Sequence, residues 1–316
     1  MENEVREFRC RYCRVHNRVD RLFCVRCRRR LAELTPYDIT EDDYVYPPDR
    51  DNLAALQGTE PLPSLIGRTI TKAREKSLRS WLSRKGTRIE PLSEIGSSLR
   101  RCSEILSLEI IPETFIVASE GVNALTFGRE ENPVLVISSS ATEVLDKNEM
   151  TAVIGHELAH VKSKHLMYHT LAESLARGAG MIGQFFGVGL LSTPIQMLLL
   201  AWYRESEVSA DRAALLIVDD MNTLKSLMNK LGRHANREGG ASAFESISEL
   251  FQTHPNLERR LGLIREFGSS PEFRQARQKV KRRDGVSRAL IPICRFCGVP
   301  KPVSKLFCGA CGKSQL

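Results

Sequence analysis

The spacing of apolar positions changes along this chain, and the changes mark out its elements. Between 67 and 108, Ile70, Ala73, Ser77, Leu78 and Trp81 recur at roughly helical intervals, as do Ile95, Leu99, Cys102 and Leu106. This predicts two helices separated at Gly86. β-Branched and aromatic residues then gather in three short runs, Thr114–Ala118, Val122–Phe127 and Val134–Ser138, with turns between them, and these read as strands. Asp146-Lys147-Asn148-Glu149 opens the next helix, where Asp146 or Asn148 can serve as the cap. Residues 221–267 read as further helices, two of them joined by the loop Thr253-His254-Pro255-Asn256. Helices before and after a short antiparallel sheet give an α+β domain, mostly helical, over 67–270.

The flanks read differently. Residues 33–66 carry five prolines and a run of acids, which predicts a solvated linker, or one folded back on its basic neighbour. Residues 271–289 are a basic connector. Residues 178–203 are uncharged and long enough to cross a bilayer. Their glycines, Pro194, Gln184 and Gln196 favour two buried or peripheral helices joined near Pro194, with membrane insertion as the rival.

Eight of the nine cysteines form four CxxC pairs. Cys10, Cys13, Cys24 and Cys27 make one set over 1–32; Cys294, Cys297, Cys308 and Cys311 make the other over 290–316. Each set has ten residues between its pairs, and Leu22-Phe23-Cys24 is repeated at Leu306-Phe307-Cys308. Segments this short cannot bury a core, so metal must supply their folding energy. Two zinc ribbons are expected, each with one structural zinc; redox CxxC pairs are the rival. The ninth cysteine, Cys102, is expected as a small buried apolar residue.

The segment Gly155-His156-Glu157-Leu158-Ala159-His160 reads HExxH inside an apolar run. On a helix, i and i+4 share a face, so His156 and His160 can offer two imidazoles to one zinc, with Glu157 beside them as a proton acceptor. A catalytic zinc needs a third protein ligand and an oriented outer layer. Glu207 and Asp211 are again i, i+4; Glu207 can ligate and Asp211 can orient a histidine, with Glu173 and Glu205 as rival ligands. His165 and His169 read as surface or packing residues, and His16 is not needed as a ligand.

With these motifs the chain resembles the Ste24/HtpX-like zinc metallopeptidases, gluzincins whose third ligand lies in Arg-x-x-Glu-x-x-Ala-Asp, matched by Arg204, Glu207, Ala210 and Asp211. The resemblance runs from about Gly67 to Phe267. It includes Asn123-Ala124 before a strand, His165 after the metal helix, and Thr253-His254-Pro255 followed by Arg259 or Arg260. Ser138-Ser139-Ser140 departs from it. The resemblance implies a zincin-type metallopeptidase domain, a substrate strand laid along Asn123 and Ala124, and His254 as an oxyanion donor or a blocker of the zinc.

Charge adds partners to this picture. Residues 1–31 hold ten arginines against four acids, +6, and 271–316 hold eleven Lys and Arg against two acids, +9. The total is +8, so the middle is −7. Basic ends on an acidic body are an interaction pattern. The expected function is a zinc endopeptidase with one catalytic and two structural zinc ions, acting on protein or peptide substrates. The basic ribbons would recruit an anionic partner: nucleic acid, acidic protein or a membrane surface. A zinc-ribbon adaptor with a latent peptidase domain is the alternative. An acidic start without an apolar run gives no secretory leader, so the expected location is cytoplasmic, with membrane association through 178–203 left open.

Overall fold

The structure, a computed structural model, describes residues 7–18, 23–31, 37, 39–59, 62–90, 93–176, 191–234 and 257–284. His254, the C-terminal cysteine set and residues 178–190 lie outside these. The helices are α1 (Pro47–Gly58), α2 (Leu62–Lys85), α3 (Glu94–Ile105), α4 (Ser139–Val144), α5 (Lys147–Lys162), α6 (Leu166–Ala176), α7 (Thr193–Val218), α8 (Met221–His234), α9 (Leu257–Ser269) and α10 (Pro271–Asp284). The strands are β1 (Glu7–Arg9), β2 (His16–Arg18), β3 (Gly86–Arg88), β4 (Glu113–Val117), β5 (Ala124–Arg129) and β6 (Asn132–Ser138).

The fold is α+β and mostly helical, but the sheet is mixed rather than antiparallel. Its order is β3-β4-β6-β5, with β4 and β6 parallel. The reason is the route of the chain. After β4 it skips one place, runs down the far edge as β5, and turns back through the hairpin as β6 between the other two. An up-down-up path with its middle strand outside must leave the first and third strands parallel. β3 was hidden by its brevity; Gly86, expected only as a separator, begins it.

β6 is buried on both faces, as its central place requires. Val134 and Val136 join Leu78 and Leu82 of α2 in one apolar cluster. Leu135 and Ile137 point the other way, into the main core with Leu99, Ile154, Leu158 and Leu216. This is the period-2 alternation of a strand set between two helical layers. α5 lies in the second layer against α3, α7, α8 and β5. Asp146 caps α5 by accepting from the Asn148 and Glu149 backbones, and Glu149 reciprocates to the Asp146 N–H. A Cβ on Gly155 would lie 3.7 Å from Ala214 Cα and 2.7 Å from Ile217 Cδ1, so the missing side chain lets α7 come close.

Where the structure describes the two expected flanking spacers, their residues pack into the body. Pro47 and Pro48 occupy the first turn of α1, where proline is tolerated because its absent N–H has no intrahelical partner anyway. Tyr37, Ile39, Tyr44 and Val45 enter the main core, while Leu56 packs with Ile66, Ile70, Leu199 and Trp202. In α10 Phe273, Ala276 and Val280 form a buried stripe, Arg274, Lys281 and Arg282 are exposed, and Arg277 turns in to the Leu216 carbonyl and Asp219. Lys279 pairs with Asp43, and Tyr37 donates to Asp284, so the two segments hold each other. Replacing Leu56, fully buried, by alanine is expected to cost about 2–5 kcal/mol, read in chemical denaturation; a solvated spacer would lose nothing.

The capping carboxylate of Glu149 is buried and also takes hydrogen bonds from Lys230 Nζ at 2.6 Å and Ser226 Oγ at 2.7 Å. Burial alone would raise its pKa, but Lys230, Ser226 and the Asp146 N–H together hold it below the ordinary glutamate value. A depressed folded-state pKa gives stability that is present above the unfolded value, ~4.3, and lost as pH falls through the folded one. The stability gap between wild type and Glu149→Gln is therefore expected to hold at neutral pH and to shrink as pH falls below about 5, measured by urea unfolding at each pH.

Candidate active site

The site forms where α5 meets α7. His156 and His160 project from one face of α5, and Glu207 comes from α7, as the i, i+4 spacings require. His160 Nε2 lies 3.3 Å from His156 Nε2. Glu207 places one carboxylate oxygen 3.5 Å from His156 Nε2 and the other 3.6 Å from His160 Nε2. Donors about 2.0–2.1 Å from a tetrahedral zinc would stand ~3.3–3.4 Å apart, so this set fits that ion. Charge supports the fit. Burial opposes a positive charge on His156, yet the Asp211 and Glu207 carboxylates pull its pKa up to about 10. A cation suits these groups, and a metal bound there would take the place of that proton.

Asp211 accepts a hydrogen bond from His156 Nδ1 at 3.0 Å, the outer nitrogen of that imidazole. It is clamped from behind by Arg260 of α9, Nε to Oδ2 at 2.7 Å and Nη2 to Oδ1 at 2.8 Å. Arg260 Nη1 also stands 3.3 Å from Glu207. Despite burial, which raises it, the Asp211 carboxyl is held low by Arg260 and His156. The rival carboxylates are engaged elsewhere: Glu205 with Arg259, and Glu173 with Arg74. Glu157, 5% exposed, sits next to the donor set; burial pushes its carboxyl up to about 7 against the pull of His156.

Ala124 begins β5 and is paired with Ile137, and the buried Asn123 donates its N–H to Ser138 Oγ at 2.9 Å. β5 is an edge strand beside α5, and its outer side carries no strand partner among the described residues. The departing serine run thus has local work. Ser138 anchors Asn123 and caps α4, while Ser139 and Ser140 bond Ser119.

The first cysteine set converges too. Its four sulfurs lie within 4.8 Å of one another, with Cys10 and Cys27 3.6 Å apart and Cys13 and Cys24 3.5 Å apart. Each CxxC closes in the same way, with Arg14 and Arg28 in the left-handed region returning an N–H to the Cys10 and Cys24 carbonyls. This module docks on the larger body. Residues 28–30 lie antiparallel to 109–111, Arg30 bonds the Leu108 carbonyl, and Arg28 bonds Asn132 and Pro133. Its exposed face carries Tyr12 between the Arg11 and Arg29 guanidiniums, each 4.8 Å from the ring centre. Cys102 is buried as expected.

Three groups near the site escaped the sequence reading of their roles. Arg260 was one of two candidate arginines. His165 read as surface or packing, but it is buried with its Nδ1 3.1 Å from His160 Nδ1. Asp49, inside the supposed spacer, reaches His165. Only the resemblance, which included His165 and one of Arg259 or Arg260, hinted at any of this, and nothing pointed to Asp49.

No helix among the described residues is long and apolar enough to cross a membrane; part of 178–203 lies outside them. Against known families, the description Peptidase family M48 matches residues 92–267, which is α3 through most of α9. A plastoglobule-localized, chloroplastic metallopeptidase of Arabidopsis thaliana is 30% identical over 208 residues, covering 64% of this chain and 59% of that protein. A protease HtpX homolog of Salinibacter ruber is 28% identical, covering 55% and 73%, and one of Moorella thermoacetica is 30% identical, covering 52% and 69%. The match thus spans under two thirds of the Arabidopsis protein's length.

Proposed function

This chain belongs to peptidase family M48, and on that premise we propose that it is a zinc-dependent endopeptidase acting on protein or peptide substrates. The observation that carries the reading is the donor set of His156, His160 and Glu207, with atoms 3.3–3.6 Å apart and the Glu157 carboxylate beside it. These three residues would hold the catalytic zinc. When bound, zinc supplies Lewis acidity that makes water a nucleophile near neutral pH and polarises a carbonyl.

The chain's own residues do the rest. Glu157 accepts the proton of the attacking water and delivers it to the leaving amine nitrogen, a task suited to a carboxyl with pKa about 7. Asp211 fixes His156 through Nδ1, and Arg260 keeps Asp211 ionised and in place. Asn123 is held at the start of β5 by Ser138, and from Ala124 onward the outer edge of the strand, without a strand partner among the described residues, offers main-chain groups to an extended peptide. His254 would donate to the oxyanion. The N-terminal cysteine set holds a structural zinc, its C-terminal repeat a second, and the exposed arginine face recruits an acidic partner.

Elemental analysis tests the reading. The full chain is expected to carry three zinc ions, and His156→Ala is expected to lose one of them together with peptide hydrolysis. A wild-type zinc count in His156→Ala would remove the catalytic site.

A further inference from the structure

We propose that His165 and Asp49 are positioning residues that hold the His160 imidazole in the tautomer able to serve a metal. The proposal rests on the metallopeptidase reading. His160 turns Nε2 toward His156 and Glu207, which leaves Nδ1 pointing away from the donor set. That outer Nδ1 lies 3.1 Å from Nδ1 of His165. His165 carries its Nε2 to 3.4 Å from Asp49 Oδ2. The same carboxylate oxygen accepts from Ser209 Oγ, and Ser209 Oγ accepts from the Tyr46 N–H at 2.9 Å. His165 is 1% exposed and Asp49 0%.

Local structure brings these groups together. After α5, Lys164 adopts a left-handed conformation at φ 59°, and the His165 N–H returns to the His160 carbonyl at 2.9 Å. The reversal folds His165 back under His160. The Tyr46–Ser209 bond ties the start of α1 to α7 midway between Glu207 and Asp211, and so delivers Asp49 to the far side of His165. Trp202 closes the pocket with its ring edge-on to His165, centres 5.3 Å apart.

The direction of every hydrogen bond follows from one end. An ionised carboxylate can only accept, so a neutral His165 keeps its proton on Nε2 and leaves Nδ1 bare. A bare Nδ1 can only accept from His160, so His160 carries its proton on Nδ1. The His160 lone pair is then on Nε2, facing the donor set. Metal-binding histidines commonly donate their second nitrogen to a carboxylate. His156 does so directly, to Asp211. His160 does so through an inserted imidazole, and the carboxylate at the end comes from α1, outside the 92–267 family match.

The test compares His165→Leu, which removes donor and acceptor, with His165→Gln, whose amide oxygen can accept from His160 while its NH₂ donates to Asp49. Zinc affinity at the His156, His160 and Glu207 site is measured in the full chain by competition with a chromophoric chelator, alongside kcat and KM on a peptide. His165→Leu is expected to weaken that affinity about 10–100-fold and to lower kcat with little change in KM, while His165→Gln recovers most of both. Equal behaviour of the two variants, or wild-type affinity in His165→Leu, would overturn the proposal in favour of simple packing. Should His165→Leu not fold, long-range ¹H–¹⁵N spectra of zinc-loaded wild type decide. The proposal requires protons on His160 Nδ1 and His165 Nε2, and a proton on His165 Nδ1 sinks it. Failure of the peptidase reading shows separately, as an undiminished zinc count in His156→Ala.

Discussion

Glu157→Gln is expected to lower peptide hydrolysis by about 10²–10⁴-fold while leaving the zinc count of the protein unchanged. Glutamine has nearly the same shape, and the side chain is 5% exposed, so the neighbours on α5 need not move. What is lost is a group that can take a proton. Wild-type Glu157 is poised for that exchange because burial raises its pKa to about 7; an amide has no such step. Glu157 is not one of the three converging donors, so metal binding should survive. Turnover on a peptide, with zinc measured on the same sample, checks both halves. Turnover near wild type would move the proton-transfer role to another group, and loss of zinc would mean that Glu157 helps to hold the metal.

Arg260→Met is expected to destabilise the protein by about 3–5 kcal/mol, the cost of leaving a buried charge without its partner. Arg260 is buried and donates twice to Asp211 while standing 3.3 Å from Glu207. Methionine fills similar space but leaves two carboxylates in the interior without that cation. Asp211 would then tend to protonate and loosen its bond to His156, so zinc affinity should fall together with stability. Lysine is not a conservative replacement here, because it cannot supply the planar two-pronged contact. Denaturant unfolding of Arg260→Met, Asp211→Asn and the double variant measures the coupling. A loss below about 1 kcal/mol in Arg260→Met, the range of exposed pairs, would refute the buried-clamp description.

The site was legible wherever its chemistry is written at helical spacing. His156 with His160, and Glu207 with Asp211, are each i, i+4, and a helix turns that spacing into a shared face. The strands were legible from β-branched runs to within two residues at most ends. Their pairing was not, because the placing of β6 between β4 and β5 is decided by how the hairpin packs beneath α2. The prolines at 47 and 48 misled because their meaning depends on position: inside a helix they break it, at its first turn they begin it. Asp49 was hidden among other acids, and only burial separates it from them. Arg260 could not be told from Arg259 until α9 was oriented, one arginine turning into the site and the other out to Glu205.

The tie between α1 and α7 sets a timetable for the newborn chain. Asp49 leaves the ribosome 160 residues before Ser209, which at 5–20 residues per second is roughly 8–30 s. Arg260, the counter-charge for Asp211, follows 49 residues after Asp211 itself. A nascent chain that already displays HExxH therefore has neither the brace behind His160 nor the cation behind Asp211. On the proposed reading the site is complete only once Arg260 has been made, so a nascent chain that carries HExxH alone has little power to cut its neighbours or itself.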